Sequence, residues 1–304
     1  MRFKSGFTAV ITGGASGLGR ALCLEAARRG GRIIVADIAE EGAEDTAQLL
    51  RSRGTQAWAL GCDVSQWEEV EALERRAREL VGEVDLVANN AGVAGGGNIG
   101  EIPLEDWHWL LGVNLWGVIH GCRAFVPAMR KRNCGAILNV SSGAAFASLA
   151  KMAPYNVSKA GVNALTETLA AELEGTSVTV TALCPSFFPT NVEKTARGDD
   201  PLFRAQVRHM MRMSWYNADD MARFALDSVE AGRLHAVPMP DAWLAWLVKR
   251  IAPGSFHRLT NFVRSKLDVT LDSELGPPRS AKNGSSKQQG AQFHASLAHG
   301  DHHG

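Results

Sequence analysis

The chain of 304 residues has no excess of charge of either sign, because 32 lysines and arginines balance 32 aspartates and glutamates. Without a basic surplus there is no bulk attraction for nucleic acid, and we expect no nucleic-acid partner. Long hydrophobic runs are also missing: none approaches the roughly 18 residues that a membrane-spanning helix needs. The first residues lack the apolar core of a signal peptide. These absences argue against a membrane-spanning protein and lead us to expect a cytoplasmic one.

Cysteine is sparse and never forms a Cys-x-x-Cys pair. The five cysteines are scattered and odd in number, which argues against a disulfide framework or a zinc knuckle and fits a reducing compartment. We predict no metal site. The histidines close to the C-terminus are interpreted as part of a solvated tail; they are His294, His299, His302 and His303.

What the sequence does contain is an alternation of short β-branched apolar runs and longer helical patterns. This alternation predicts an α/β fold, with one doubly wound parallel sheet of about seven strands and helices on both faces. The predicted strands are Thr8–Thr12, Arg32–Asp37, Gln56–Val64, Asp85–Asn89, Ala136–Ser141, Val178–Cys184 and Leu234–Pro238. The predicted helices are Gly17–Arg29, Glu40–Arg53, Trp67–Val81, Leu104–Arg132, Pro154–Glu174 and Ala218–Glu230.

A glycine-rich turn follows the first predicted strand and opens the first predicted helix. Glycine is needed where the backbone turns tightly or approaches a phosphate, and a helix N-terminus offers free N–H groups and a positive dipole end. The strand–turn–helix context favours a dinucleotide site over an ordinary turn. The residues expected to line it are Gly13, Ser16, Gly17, Leu18 and Gly19.

Two acidic residues follow later strands on the same edge of the predicted sheet. Asp37 comes about 20 residues after Gly17, where a dinucleotide fold expects an acid that binds the adenosine ribose hydroxyls. A carboxylate there would repel a 2′-phosphate, and no lysine or arginine follows at 38 or 39. NAD is therefore favoured over NADP. Asp63 and Val64 are a weaker prediction for the adenine, since Asp63 could equally cap a following helix at Ser65–Glu69.

A tyrosine and a lysine, Tyr155 and Lys159, are four residues apart and so share one face of a predicted helix. A cation in that position favours the phenolate and so lowers the tyrosine pKa. A tyrosine tuned in this way can exchange a proton near neutral pH. Taken alone the pair is a weak signal, since most such pairs lie on the protein surface and have no catalytic role.

With these pieces in place, the chain resembles the short-chain dehydrogenase/reductase (SDR) family over roughly residues 5–235. The motifs that carry the resemblance come in the family's order, and the glycine spacing is similar to that of its single-domain branch. They are Thr-Gly-x-x-x-Gly-x-Gly at 12–19, Asn-Asn-Ala-Gly at 89–92, a lone asparagine at 114, a Ser-Ser pair at 141–142 and Tyr-x-x-x-Lys at 155–159. The resemblance implies a Rossmann-like fold and NAD(P)-dependent interconversion of an alcohol and a carbonyl compound.

The resemblance also implies a catalytic set of four residues. Tyr155 would be the general acid/base, and Lys159 would lower its pKa and hold the nicotinamide ribose. Ser142, 13 residues before Tyr155 as in the family, would hydrogen-bond the substrate oxygen. Asn114 would bend its helix and hold a water that links Lys159 to solvent. Taken singly, Ser142 and Asn114 also fit local backbone hydrogen bonds.

One position near the implied nicotinamide contacts departs from the family. After Pro185 the family usually has glycine, whereas this chain has Ser186. Serine lacks the φ freedom of glycine, so we expect a shift in the local turn. The further cofactor contacts that the resemblance implies are Asn90, Gly92, Tyr155, Lys159, Pro185 and Thr190.

The segment 186–216 corresponds to the family's substrate lid and is rich in aromatic residues and methionine. Such residues suit an apolar, adaptable pocket, although they could equally pack the lid on the core. No lysine or arginine is evidently aimed into the pocket, so we expect a bulky or lipid-like apolar alcohol or ketone. The residues considered are Phe187, Phe188, Phe203, Met210, Met211, Met213 and Trp215 in the lid, and Ala144, Phe146, Leu149 and Met152 before Tyr155.

Residues 241–276 are predicted to be an amphipathic helical extension. Trp243, Trp246, Leu247 and Ile251 form an apolar stripe at helical spacing, flanked by basic residues. Packing on the chain's own domain or on a second subunit is favoured. Peripheral membrane contact through 241–266, with access for a lipid-like substrate, is the alternative.

The chain is thus predicted to contain an NAD-binding catalytic domain at 1–240, the extension at 241–276 and a disordered tail at 277–304, which is too polar to bury a core. The favoured function is NAD(H)-dependent interconversion of a secondary alcohol and a ketone, or of an alcohol and an aldehyde. The alternatives are a catalytically silent dinucleotide-binding sensor and a lipid-modifying enzyme at a membrane surface. A homo-oligomer is expected from the resemblance only.

Overall fold

The computed structural model of the chain describes residues 3–190, 196–197, 208–209, 211–256 and 258. In this part of the chain seven parallel strands form one sheet, in the order β3-β2-β1-β4-β5-β6-β7. The predicted doubly wound α/β fold is confirmed. The strands are β1 Thr8–Thr12, β2 Arg32–Asp37, β3 Ala57–Gly61, β4 Leu86–Asn89, β5 Gly135–Val140, β6 Val178–Leu183 and β7 His235–Ala236.

Helices cover both faces of the sheet, and a C-terminal helix follows the last strand, as predicted. The helices are α1 Gly17–Arg28, α2 Glu40–Ser52, α3 Trp67–Val81, α4 Leu104–Leu111, α5 Gly117–Arg132, α6 Ala144–Ala147, α7 Ala153–Glu172, α8 Ala218–Glu230 and α9 Pro240–Ile251. A π-helical turn, Gly112–Trp116, joins α4 to α5. The single turn of α6 was not predicted, because four residues are too few to show a helical period. Among the helices described, none is both long and apolar enough to cross a membrane.

Two strands are clearly shorter than predicted, and β4 and β6 each lose one end residue. β3 ends at Gly61 rather than at Val64, since the Asp63 carboxylate accepts a hydrogen bond from the Ser65 N–H at 2.9 Å and turns the chain. β7 keeps only two of the five residues predicted for it. Pro238 has no N–H to donate to a strand ladder, and α9 begins two residues later.

The sheet is buried on both sides, and alternate residues of one strand face opposite helix layers. In β1 all five residues are buried. Ile11 packs in one cluster with Leu22 of α1, whereas Val10 packs in a second cluster with Phe125 of α5. This two-sided burial explains the continuous apolar runs from which the strands were predicted.

The strand order reverses beside β1, which pairs with β2 on one side and with β4 on the other. In doubly wound sheets a crevice opens at this point, beyond the carboxyl ends of the strands. The turns that leave β1, β4 and β5 therefore meet at one edge of the sheet, where the predicted site residues lie.

Some sequence predictions lie outside the described residues. These are the lid residues Phe203 and Met210, the part of the extension that follows residue 258, and the tail at 277–304.

Candidate active site

The glycine-rich turn is closed so tightly that side chains are excluded from it. Gly13 has φ +67°, and a Cβ there would lie 2.8 Å from the Ala91 Cα. A Cβ on Gly19 would overlap the Gly13 carbonyl oxygen. Ser16, the N-cap of α1, makes no side-chain cap hydrogen bond. The first-turn N–H groups of α1 are therefore left for an anion, and the residues fit a dinucleotide phosphate.

The turn after β4 is tied to the glycine-rich turn by side chains. The Thr12 hydroxyl accepts hydrogen bonds from the Asn90 N–H at 3.0 Å and the Ala91 N–H at 3.1 Å. The Asn90 side-chain amide donates back to the Thr12 carbonyl at 2.8 Å. Asn90 thus holds two loops of the crevice together. Thr12 was not singled out from the sequence, although it opens the glycine motif.

Asp37 lies at the end of β2 and reaches back to the glycine-rich turn. Its two carboxylate oxygens accept from the Ala15 N–H and the Ala39 N–H, each at 2.9 Å. The neighbouring cation is Arg20, whose guanidinium already donates to the Ala15 carbonyl at 2.6 Å and to the Thr46 hydroxyl at 2.8 Å. The negative charge of Asp37 is therefore fixed at this rim of the crevice.

Asp63 and Val64 lie beyond the end of β3, and both bind other groups of the protein. Besides the Ser65 N–H, Asp63 accepts from the Ser65 hydroxyl at 2.8 Å. The Val64 carbonyl contacts His120 Nδ1 at 2.9 Å. Asp63 does not cap the following helix, which begins at Trp67 with Gln66 as its N-cap; it closes a local turn with Ser65 instead.

Asn114 lies in the π-helical turn and is fully buried. Its side chain accepts from the Val93 N–H at 2.8 Å and donates to the Val93 carbonyl at 2.9 Å, so it pins the loop after β4. Its amide also donates to the Ser158 hydroxyl at 3.3 Å. Gly92, in the pinned loop, lies against both the Asn114 side chain and the Lys159 ammonium. π-Helical turns inside α-helices often mark functional sites.

Ser142 and Tyr155 meet at the carboxyl end of β5. Ser142 follows the strand, and its hydroxyl hydrogen-bonds the Tyr155 phenol. Burial raises the pKa of Tyr155 above its ordinary value, and the bond from Ser142 partly opposes that rise. The direction is opposite to the one predicted for the Tyr–Lys pair, because desolvation outweighs the favourable partners in the structure.

Lys159 lies one turn further along α7 and is almost wholly buried, at 4% exposure. Its Nζ donates to the Val140 carbonyl at 2.8 Å and lies 5.7 Å from the centre of the Tyr155 ring. Burial lowers the pKa of Lys159 to about 8, because the charged form is desolvated. The Ser141 hydroxyl donates to the Lys159 carbonyl at 3.0 Å and fixes this stretch of the helix.

The turn after β6 carries Pro185, Ser186 and Thr190 on the same edge of the sheet. The Pro185 carbonyl accepts from the Gly143 N–H at 2.7 Å, which joins this turn to the Ser142 loop. Ser186 is not among the described non-glycine residues with positive φ. The expected cost of losing glycine at this position is therefore absent, since the backbone does not need a left-handed conformation.

The aromatic and methionine residues of the lid differ in how far they are buried. Phe188 is buried in the core cluster on α8, whereas Met213 and Trp215 are 65% and 96% exposed. The residues before Tyr155 are mainly apolar and buried; they include Ala144, Phe146 and Met152. Packing on the core is thus the observed role of Phe188.

The predicted apolar stripe of α9 is only half covered. Trp246 packs edge-to-face on Phe146 of α6, with ring centres 6.3 Å apart. Trp243 and Ile251 of the same stripe are 48% and 74% exposed. The sequence did not indicate that α9 would contact α6, beside Ser142.

A doubly wound sheet with a glycine cradle, an acid after β2 and a Ser–Tyr–Lys cluster defines a dinucleotide-dependent oxidoreductase. The family model for short chain dehydrogenases matches residues 7–201. The chain belongs to the short-chain dehydrogenase/reductase family, whose cofactor is a nicotinamide dinucleotide and whose substrates are small molecules.

Relatives support the same family. The probable oxidoreductase EphD of Mycobacterium tuberculosis is 35% identical over 81% of this chain, and the match spans 43% of EphD, less than half of its length. The 1-deoxy-11-beta-hydroxypentalenate dehydrogenase of Streptomyces avermitilis is 32% identical over 77% of this chain and 85% of its own. A solved structure of a short chain dehydrogenase/reductase from Burkholderia phymatum, in complex with NAD, is 33% identical, with a TM-score of 0.78 over 82% of this chain and 94% of that one.

Proposed function

We propose that the protein interconverts a secondary alcohol and its ketone, or an alcohol and its aldehyde, with NAD as the favoured cofactor and Tyr155 as general acid/base. The observation that carries the proposal is the hydrogen bond from Ser142 to Tyr155 beside the buried cation of Lys159. Ser142 lies two residues after β5, and Tyr155 and Lys159 lie on α7, so two rigid elements place the three groups within reach of one substrate oxygen.

Tyr155 handles the proton of the reaction. Bound NAD supplies the acceptor for the hydride that leaves the alcohol carbon, and the reduced form supplies that hydride in reverse. The Tyr155 oxygen takes the hydroxyl proton of the alcohol as its C–H bond breaks, so a carbonyl remains. In the reductive direction the Tyr155 and Ser142 hydroxyls donate to the oxygen on which negative charge develops.

Lys159 acts on Tyr155 by charge and not by direct transfer. With a pKa of about 8 it is mostly protonated at neutral pH. A cation at this distance stabilises the phenolate and opposes the effect of burial on the Tyr155 pKa. The two groups therefore have to be considered as a coupled pair.

Asp37 supports the choice of NAD. Its carboxylate lies at the rim of the glycine cradle, where the adenosine ribose of a dinucleotide comes in this fold. A 2′-phosphate at that point meets like charge, and Arg20 is already committed to Ala15 and Thr46. The ribose contacts proposed for Asp37 thus favour the cofactor without the phosphate.

The substrate proposed is a bulky apolar alcohol or ketone. Between Ser142 and Tyr155 the chain is mostly apolar, with Phe146 and Met152 buried and Lys151 as its one charged side chain. We test the proposal with purified protein, NAD and a panel of long-chain, polycyclic, sugar and hydroxy-acid substrates, by following NADH formation. Turnover on the apolar members supports it; NAD binding without turnover on any member would favour the silent sensor.

Contact with a membrane surface is a second proposal, supported by the exposed apolar face of α9. Trp243, Leu244 and Ile251 are all exposed there, with Lys249 and Arg250 in the last turn. This face suits a lipid surface or a second subunit. Co-sedimentation with anionic vesicles that is unchanged when Trp243 and Leu244 are replaced by serine would overturn membrane contact.

A further inference from the structure

The N-terminal end of α9 holds the turn that follows β6. The Ser186 hydroxyl donates to the Asp241 carboxylate at 2.5 Å, and the Ser186 N–H donates to the Met239 sulfur at 3.1 Å. Both the side chain and the main chain of Ser186 are thus bound to one short segment, 239–241. A charged acceptor makes the hydroxyl bond stronger than a neutral one would.

The same helix also contacts the loop that carries Ser142. A Cβ on Gly143 would lie 3.4 Å from the Ala242 Cβ, so the helix rests directly on the backbone next to Ser142. Further along α9, Trp246 packs on Phe146, and the Lys249 ammonium donates to the Ser148 hydroxyl at 3.2 Å. Ser148 has φ +50°, an unusual conformation that such contacts help to maintain.

The two contact regions are joined to each other. The Gly143 N–H donates to the Pro185 carbonyl at 2.7 Å, so a main-chain hydrogen bond connects the Ser142 loop to the β6 turn. α9 spans this joint from Asp241 to Lys249. The helix therefore packs against both loops on the substrate side of the crevice.

We propose that Asp241 is a positioning residue for the reaction. By holding the Ser186 hydroxyl, its carboxylate fixes the turn 185–190 against the Ser142 loop, at the position where the family usually has a glycine. The inference rests on the proposed function, because it takes this turn to contact the nicotinamide end of the cofactor. Asp241 acts through Ser186 and does not touch the reacting atoms.

The test is a double-mutant cycle of D241A and S186A, with NADH affinity, kcat, KM for NAD and melting temperature measured for each variant. Each single variant is expected to weaken NADH binding or lower kcat/KM for NAD about fivefold, the effect of losing one solvent-exposed hydrogen bond. The double variant is expected to lose no more than either single one, since both remove the same bond. D241N keeps an acceptor oxygen but loses the charge, so its effect should be smaller than that of D241A.

The matched control is D219A, which removes an exposed acid from the first turn of α8 and should leave cofactor affinity and kcat/KM unchanged. Additive losses in the cycle, or a fall in melting temperature with unchanged NADH affinity and kcat/KM, would overturn the inference. If wild-type protein neither binds nor turns over NAD, the proposed function fails instead. If the wild type turns over NAD and D241A and S186A have the same NADH affinity and kcat/KM as the wild type, the inference is wrong and the proposed function still stands.

Discussion

The cofactor side and the substrate side of the crevice are built in different ways. On the cofactor side, glycines and main-chain N–H groups form the cradle between β1 and α1, with Thr12, Asn90 and Asp37 bound to neighbouring backbone. On the substrate side, two side chains bind each other: the Ser186 hydroxyl donates to Asp241 of α9, 55 residues later. The first side depends on backbone geometry where the strands end, whereas the second depends on how α9 packs. We therefore expect substitutions on the cofactor side and on the substrate side to have different effects.

G19A is expected to have the largest effect, because a Cβ there overlaps the Gly13 carbonyl oxygen and closes the cradle. We expect NADH binding to fall below detection by titration calorimetry, with a lower melting temperature. G100A is the control, since a Cβ at Gly100 meets nothing within 4 Å. Unchanged NADH affinity in G19A would show that the cradle is not where the dinucleotide binds.

K159M should lower kcat about 100-fold or more, because Tyr155 loses the cation that favours its phenolate. It should also change how stability depends on pH. The folded-state pKa of Lys159, about 8, lies below its ordinary value of 10.5, so the unfolded chain holds more protons between these values. Wild-type stability therefore rises with pH in that window.

The stability of wild type relative to K159M should accordingly increase by about 1 kcal/mol from pH 7 to pH 9 in urea denaturation. Comparison with K159M removes the contribution of the other titrating groups. A stability difference that is constant over this range, or that changes in the opposite direction, would contradict the lowered pKa of the buried Lys159.

D37N should have a smaller effect, confined to the choice of cofactor. Loss of the charge weakens the proposed ribose contact and removes the repulsion of a 2′-phosphate. The ratio of kcat/KM with NADP to that with NAD should rise about tenfold. E41A, which removes an exposed acid from the first turn of α2, should leave the ratio unchanged. If D37N does not change it, Asp37 does not select the cofactor.

The cofactor side could be predicted from sequence because its signals are local. The spacing from Gly13 to Gly19 and the place of Asp37 follow from the requirements of one strand–turn–helix unit. The sheet order follows from the alternation of strands and helices. The C-terminal ends of β3 and β7, where a side-chain turn and prolines compete with the ladder, were misjudged by two or three residues, and the ends of β4, β5 and β6 by one.

The substrate side could not be predicted in the same way. Nothing near Ser186 in sequence indicates that Asp241 will accept a hydrogen bond from its hydroxyl, since the contact exists only once α9 has packed. The direction of the Tyr155 pKa was also missed, because four-residue spacing shows the lysine but not the burial that desolvates both groups. Half of the α9 stripe is exposed for a similar reason: Trp246 packs on Phe146, whereas Trp243 and Ile251 remain exposed.

The central claim is that Tyr155 carries the proton in a site whose cofactor cradle is independent of it. The most direct test is Y155F, with NADH affinity and turnover on an active alcohol measured on the same preparation. We predict unchanged NADH affinity and a loss of kcat of about 1,000-fold, within the range typical of a general acid/base. Turnover in Y155F equal to wild type would contradict the account.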